Sequence, residues 1–304
     1  MKTLAEIRQK YHKKLDSLDL ELIIAHTIKK SREFVLSHPE YTVNKNQEAG
    51  IKNYVNRRMR SEPLAYILGH KEFFGLDFRV DKNTLIPRPE TEILVEQVLQ
   101  EFQKSVNSEQ GTIIADIGTG SGNIIISLAK KLEETRDKRQ ETRFFGVDTS
   151  VKAIKIAKQN AKIHKVDNKI KFLKSNLLEQ LFQNSKFKIQ SKFKIQNSKL
   201  IILANLPYLS KEIYSSTPID VKKYEPKSAL LSESDGLNHY KKLFAQIKFI
   251  VTSYKLRVTS YVEFSPEQKP LLNKLIKSYF PKAKIEFQKD LAGKWRVCIV
   301  HILA

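Results

Sequence analysis

The residues best suited to chemistry form one short run, Asn205-Leu206-Pro207-Tyr208, at the end of the apolar stretch Leu200-Ile201-Ile202-Leu203-Ala204. A stretch of that kind reads as a strand buried on both faces, and it delivers the run to the carboxyl edge of a parallel sheet, where doubly wound folds place their sites. The Asn205 side-chain oxygen and the Leu206 carbonyl are two acceptors for an N–H pair, and the Tyr208 ring can pack against a planar group. That pattern suits an amide or an aromatic NH₂, whose lone pair is delocalised and which must be held in line with an electrophilic methyl group to react. Because Pro207 follows, Leu206 is biased to extended backbone, which aims its carbonyl into the site.

A second constellation lies upstream in Thr112-Ile113-Ile114-Ala115-Asp116-Ile117-Gly118-Thr119-Gly120-Ser121-Gly122, with helical spacing from Asn123 to Leu132. A β-branched strand, a glycine turn and a helix N-terminus make the first unit of a nucleotide-binding α/β fold. The spacing is G-x-G-x-G with Asn123 next, rather than the G-x-G-x-x-G of a dinucleotide site, and no G-K-[ST] follows. That favours S-adenosylmethionine over NAD and excludes a P-loop. Asp116, Gly118, Thr119, Gly120, Ser121 and Gly122 are therefore expected at the cofactor, with Asn205 reaching it from the later strand. Asp148 ends the next strand, Phe144–Asp148, where a carboxylate accepts from both ribose hydroxyls; capping the following helix is its other possible role. Asn176 and Leu177, after a third strand over 170–173, are expected beside the adenine. Pro87, Arg88, Pro89 and Glu90 form a stiff loop before a helix over 90–100, suited to a pocket wall.

These groups need elements to position them. Residues 1–61 read as a small helical bundle: Leu4, Ile7, Tyr11, Leu15, Leu18 and Leu22 recur at spacings of three and four, as one buried helical face requires. The pattern continues over Leu18 to Val35, breaks at His38-Pro39, and resumes in a third helix from Gln47 to Met59. Residues 62–84, rich in aromatics, glycine and proline, read as a connector with a short hairpin at 73–80. Residues 85–304 form the catalytic domain. Ser185-Lys186-Phe187-Lys188-Ile189-Gln190 is repeated at once as 191–196, which points to a surface insertion. A similar echo, Val251-Thr252-Ser253-Tyr254 and Val258-Thr259-Ser260-Tyr261, precedes a strand at Tyr261–Phe264.

The 304 residues carry 54 basic and 33 acidic side chains, a formal charge of +21. Such an excess suits weak contact with RNA or the ribosome, but the lysines are spread along the whole chain without the aromatic pattern of an RNA-recognition module. The lone Cys298 sits in an apolar run, so no disulfide framework, cysteine zinc site or other metal centre is expected. No apolar run approaches the roughly 18–20 residues of a membrane span, and the first residues lack the apolar core of a signal peptide. A cytoplasmic protein without a membrane partner is the expectation.

The chain resembles the HemK/PrmC family of peptide chain release factor glutamine methyltransferases over nearly all its length. The resemblance rests on Leu20-Glu21-Leu22-Ile23-Ile24-Ala25-His26, Glu62-Pro63-Leu64-Ala65-Tyr66-Ile67-Leu68-Gly69, Thr84-Leu85-Ile86-Pro87-Arg88-Pro89-Glu90-Thr91-Glu92, the run from Asp116 to Gly122, Tyr224-Glu225-Pro226-Lys227-Ser228-Ala229-Leu230, and Asp235-Gly236-Leu237. It implies a class I Rossmann-like methyltransferase domain behind a helical domain that helps grip the substrate. It also implies transfer from S-adenosylmethionine to the glutamine of the Gly-Gly-Gln loop of class 1 release factors. Gly118 to Gly122 and Asp148 would hold the cofactor, Asn176 and Leu177 would flank its adenine, and Asn205 to Tyr208 would receive the glutamine. Leu206 stands where the family has proline, Asn176 and Leu177 replace its usual acid and frequent aromatic, and residues 251–261 replace its usual glycine turn. Two other readings are compatible with the motifs: an adenine-amino methyltransferase acting on RNA or DNA, and a non-catalytic relative that binds RNA or the ribosome.

Overall fold

The computed structural model describes residues 1–104, 111–135, 142–182 and 199–303; the repeat at 185–196 lies outside the described residues. The chain divides into two units, Met1–His70 with Pro218–Tyr224, and Lys71–Thr217 with Glu225–Ala304.

In the first unit a short antiparallel pair, β1 (Lys2–Thr3) and β2 (Thr42–Val43), accompanies helices α1 (Leu4–Tyr11), α2 (Ser17–Ile28), α3 (Arg32–Ser37) and α4 (Lys45–Met59). The expected continuous helix from Leu18 to Val35 is two helices. Lys29, in the left-handed region at φ 56°, closes α2, and the Ser31 side chain caps α3. Leu18, expected on the buried face, is exposed, because the Asp16 side chain accepts from the Leu18 and Asp19 amides and restarts the helical register. The buried face is Leu20, Ile23, Ile24 and Ile28, packed against Leu4, Ile7, Val35 and Ile51. Asn44 and Gln47 form a reciprocal capping box at the start of α4. The segment expected as a connector, 62–84, holds α5 (Leu64–Leu68), stopped by Gly69 at φ 79°, and then, from Lys71 on within the second unit, a hairpin of β3 (His70–Phe73) and β4 (Leu76–Arg79). The hairpin turns through Phe74 and Gly75, both at positive φ, as a two-residue turn requires. A later helix, α11 (Ile219–Tyr224), belongs to this unit, and the Tyr224 hydroxyl donates to the Arg60 carbonyl at 2.9 Å.

The second unit is an α/β fold. Its sheet contains β5 (Thr112–Ile117), β6 (Thr142–Asp148), β7 (Ile170–Lys174), β8 (Lys199–Ala204), β9 (Arg257–Glu263), β10 (Lys284–Lys289) and β11 (Trp295–Ile302), in the order β10-β11-β9-β8-β5-β6-β7. Strands β7 to β9 across the sheet run parallel; β11 is antiparallel to both β9 and β10. One face is covered by α12 (Asn238–Tyr254) and α13 (Lys269–Tyr279) through Tyr240, Leu243, Phe244, Leu272 and Ile276. The other is covered by α6 (Glu92–Lys104), α7 (Asn123–Thr135) and α8 (Val151–Ile163) through Leu94, Val98, Ile125, Leu128 and Ala157. With both faces covered, every residue of β5 is buried, which is why that strand reads as a continuous apolar run.

The echo at 251–261 spans two element types. Val251–Tyr254 ends α12, Lys255 turns the chain at φ 52°, and Val258–Tyr261 lies in β9, which begins four residues before the expected strand. Two short helices, α9 (Glu179–Phe182) and α10 (Lys211–Ser216), flank the sheet's connections. Cys298 is buried in β11, and burial pushes its thiol pKa up. No described helix is long and apolar enough to cross a membrane.

Candidate active site

From β5 the chain moves outward through β6 and β7, then returns to place β8 on the opposite side of β5. The loops leaving β5 and β8 therefore part in opposite directions, and a crevice opens between their carboxyl ends. A cleft of about 350 Å³ lies there, within the size range of small-ligand sites.

The glycine turn forms one wall. Gly118, Thr119, Gly120 and Ser121 line the cleft. A Cβ on Gly120, which has φ +54°, would meet only the Gly118 carbonyl at 3.9 Å, so the turn presents bare backbone. The other two glycines serve packing. A Cβ on Gly122 would lie 2.7 Å from Ile126 Cδ1 and 3.2 Å from Ala157 Cβ, so its absence lets α7 and α8 meet. A Cβ on Gly118 would lie 3.1 Å from Leu206 Cδ2, so that glycine makes room for the loop after β8. Asp116 is wholly buried beneath the turn and outside the cleft lining. Its Oδ2 accepts from the Thr119 hydroxyl at 2.7 Å, while Oδ1 has no partner. Burial, aided by nearby Asp148 and opposed by the Thr119 hydrogen bond, pushes its carboxyl up to about 7.

Asp148 lines the facing wall at the end of β6. Its Oδ2 accepts from the Gly120 amide at 3.0 Å and its Oδ1 from the Ser150 amide at 2.8 Å. Burial raises its pKa against those backbone hydrogen bonds. The helix that follows is capped by the Ser150 side chain, not by Asp148. A carboxylate has about four acceptor positions, so acceptor capacity remains beyond these backbone amides. Asn176 and Leu177 also line the cleft. Leu177 holds φ +54°, a left-handed conformation unusual for a branched side chain, and its carbonyl accepts from the Ser175 hydroxyl at 2.8 Å.

Of the proline loop, Pro87 and Arg88 line the cleft, whereas Pro89 and Glu90 begin a 3-10 turn (Pro89–Thr91) outside its lining. Arg88 Nη2 donates to Glu225 Oε1 at 2.5 Å, and Glu225 Oε2 accepts from the Ile86 amide at 3.2 Å. Arg88 thus braces the loop against the Glu225-Pro226 segment. Asn205, Leu206 and Pro207 line the cleft beyond. Leu206 is 4% exposed and packs in the core.

A second pocket of about 50 Å³ adjoins the cleft, lined by Arg88, Asn205, Leu206, Tyr208, Leu230 and Glu263 among others. Here the structure adds residues that sequence reasoning missed. Asn205 Nδ2 donates to Thr91 Oγ1 at 3.0 Å, Thr91 donates to Glu263 Oε2 at 2.7 Å, and the Tyr208 hydroxyl donates to Glu263 Oε1 at 3.1 Å. Glu263 is 2% exposed. Burial lifts its carboxyl above the ordinary carboxylate range, and burial followed by the Glu263 charge lifts the Tyr208 hydroxyl. Gln268 Nε2 donates to the Tyr208 and Asp235 carbonyls at 2.8 and 2.9 Å, across the backbone of Gly236. His239 lines the cleft opposite, and burial lowers its pKa. The acid at the end of a strand, Glu263, was the one readable signal; Thr91 and Gln268 look like ordinary cap residues. Among the described residues no group of His, Cys, Asp and Glu could hold a metal ion.

Residues 4–69 match the model of the PrmC N-terminal domain, and 108–232 match that of a methyltransferase domain. A release factor glutamine methyltransferase of Thermodesulfovibrio yellowstonii is 35% identical over 305 residues, covering 99% of this chain and 98% of the relative. The chain belongs to the release factor glutamine methyltransferase family. A second relative of that name, from Clostridium botulinum, is 32% identical over 92% of this chain and 90% of its own length. Among solved structures, the N-terminal domain of human METTL16 in complex with SAH aligns with a TM-score of 0.52 at 16% identity, over 98% of both chains. The METTL16 catalytic domain in complex with a MAT2A 3'UTR hairpin gives 0.53 at 15% identity over 92% of each. At these identities the likeness is one of fold, and it agrees with the methyltransferase domain matched over 108–232.

Proposed function

We infer that this chain transfers the methyl group of S-adenosylmethionine to the side-chain amide nitrogen of a glutamine in a peptide chain release factor, the one in the Gly-Gly-Gln loop of class 1 factors. The observation that carries the reading is the pocket at Asn205, Leu206 and Tyr208. It is a small recess of about 50 Å³ that shares Leu85, Arg88, Asn205 and Leu206 with the lining of the larger cleft. A paired acceptor beside an aromatic ring suits a side-chain amide, and the relatives named as release factor glutamine methyltransferases count against an adenine-amino methyltransferase.

The cleft fits the cofactor. Gly120 offers open backbone, Asp148 keeps acceptor capacity for the ribose, and Asn176 and Leu177 line the same cleft for the adenine. When bound, S-adenosylmethionine supplies an electrophilic methyl on a sulfonium. The chain supplies position. Asn205 Nδ2 is committed to Thr91, which leaves Oδ1 to accept one N–H of the substrate amide. The Leu206 carbonyl accepts the other, and the Tyr208 ring, pinned at its hydroxyl by Glu263, closes over the planar group. Holding both N–H bonds fixes the nitrogen for in-line attack, where orientation contributes most.

Residues 1–61 are proposed to grip the release factor, with the basic excess giving weak RNA or ribosome contact and the cytoplasm as the site of action. One incubation tests the function: labelled S-adenosylmethionine, the protein, a release factor and total RNA. Label is expected on the release factor, mapped by mass spectrometry to a single glutamine; label in RNA instead would overturn the assignment.

A further inference from the structure

The Asn205 amide can face the substrate in two ways, and only one presents an acceptor. What decides between them lies outside the Asn205–Tyr208 run. A carboxylate accepts hydrogen bonds and donates none, a hydroxyl has a single proton, and an amide carries donors on one side and an acceptor on the other. Glu263 accepts from Thr91 at 2.7 Å. The Thr91 proton is thereby committed, and toward Asn205 that hydroxyl has only a lone pair to offer. Asn205 must answer with Nδ2, as it does at 3.0 Å, and its Oδ1 is turned to the opposite side. The same carboxylate takes the Tyr208 proton at 3.1 Å and so holds the ring that closes the pocket.

Resting on the amide-methylation reading above, we propose that Glu263 is a positioning residue for the transfer, a buried carboxylate that sets the direction of the Glu263–Thr91–Asn205 hydrogen-bond chain so that Asn205 offers its oxygen to the substrate amide. Protonation of Glu263 undoes this. A neutral acid must donate one proton, to the oxygen of Thr91 or Tyr208, and a Thr91 hydroxyl that receives a proton is released to donate toward Asn205, which then turns its oxygen inward and its NH₂ toward the substrate. The groups that set the charge of Glu263 come from every element around it. Thr91 and Glu90 come from the 3-10 turn, Tyr208 from the loop after β8, and Tyr240 from α12, whose hydroxyl donates to the Glu263 carbonyl. Arg296 comes from β11, and its Nε is held by Asp290 at 2.8 Å. Burial and Glu90 favour the neutral acid; the two hydroxyls and Arg296 favour the carboxylate.

The test uses Glu263→Gln, Thr91→Val and Thr91→Ser. Glutamine has the shape of the acid but can donate, valine has the shape of threonine but no hydroxyl, and serine keeps the hydroxyl. The first two should lower kcat by about 10- to 100-fold, the scale of a misplaced reacting group, with KM for the release factor and S-adenosylmethionine affinity within a few-fold; Thr91→Ser should restore most of the rate. The acid limb of the kcat–pH profile should vanish in Glu263→Gln. In the protein alone, the Glu263 carboxyl carbon followed by NMR should be ionised at neutral pH and titrate at a higher pH in Thr91→Val, where one hydrogen bond to the carboxylate is gone. Unchanged rates in Glu263→Gln and Thr91→Val, a Thr91→Ser variant as slow as Thr91→Val, or a Glu263 that is neutral at neutral pH would each overturn the proposal. A wild-type protein that methylates no release factor would overturn the amide reading instead, and the NMR titration would still decide the state of Glu263.

Discussion

Gly236 sits where no side chain fits, and replacing it with alanine should damage stability and catalysis together. A Cβ there would lie 2.2 Å from the Tyr208 carbonyl oxygen and 2.3 Å from Gln268 Nε2, at φ +81°. The left-handed backbone alone costs an alanine about 1–2 kcal/mol. Gln268 cannot swing aside freely, because its Oε1 accepts from the Ser265 amide at 3.1 Å while its Nε2 serves two carbonyls. Losing two such bonds in a buried place adds about 1 kcal/mol each. The sum is roughly 3–5 kcal/mol, allowing for a buried amide left partly unsatisfied. Relief of the carbonyl contact moves Tyr208 by about an ångström, enough for a loss near 100-fold in rate. Gly293→Ala is the control, since Gly293 has φ +76° with nothing within 4 Å of its Cβ position, so it should show the backbone penalty alone. Urea unfolding of both variants, with single-turnover transfer to a release factor, measures each part. Equal destabilisation of the two, or full activity in Gly236→Ala, would refute the crowding argument.

Three further outcomes are expected. Asn205→Ala should abolish methyl transfer while calorimetric S-adenosylmethionine affinity stays within a few-fold, because its contact acts mainly at the transition state. Asp148→Ala should weaken cofactor binding by about 1–3 kcal/mol in the same titration, the scale of lost charge-assisted hydrogen bonds; unchanged affinity would deny it the ribose role. Asp116 has its pKa raised from 3.8 to about 7 on folding. The unfolded chain therefore releases that proton first, and stability should fall as pH rises through that window. Asp116→Asn should flatten the fall in denaturant midpoints, and an unaltered slope would show that another group causes it.

The fold was legible where local pattern and tertiary role coincide. The apolar runs of β5 and β8, the glycine turn between Ile117 and Asn123, and the Asn205–Tyr208 run all sit at the expected sheet edge. It was illegible where partners are far apart in the chain. Thr91 and Glu263 are 172 residues apart, and Asn205 and Thr91 are 114 apart, so no spacing rule joins them. Local identity also misleads: the same four residues, Val-Thr-Ser-Tyr, end a helix at 251–254 and lie in a strand at 258–261. The helical copy continues the amphipathic face of Leu243, Ile247 and Ile250; the strand copy is enclosed between β8 and β11. Leu18 shows the same limit on a smaller scale, since one capping aspartate shifted which side chains face inward.

The place of β11 bears on how the molecule is made. It is synthesised after β10 yet inserts between β10 and β9, with Val297 paired to Glu263 and Cys298 to Val262. Until residues 295–302 have left the ribosome, β9 has one bare edge and β10 has nothing to pair with. Such an edge is a template for pairing with a foreign strand. The nascent polypeptide must therefore wait, its cofactor turn already synthesised, for β11. The wall behind the acceptor pocket, where the Phe264 amide donates to the Arg296 carbonyl at 2.9 Å, cannot close before β11 arrives.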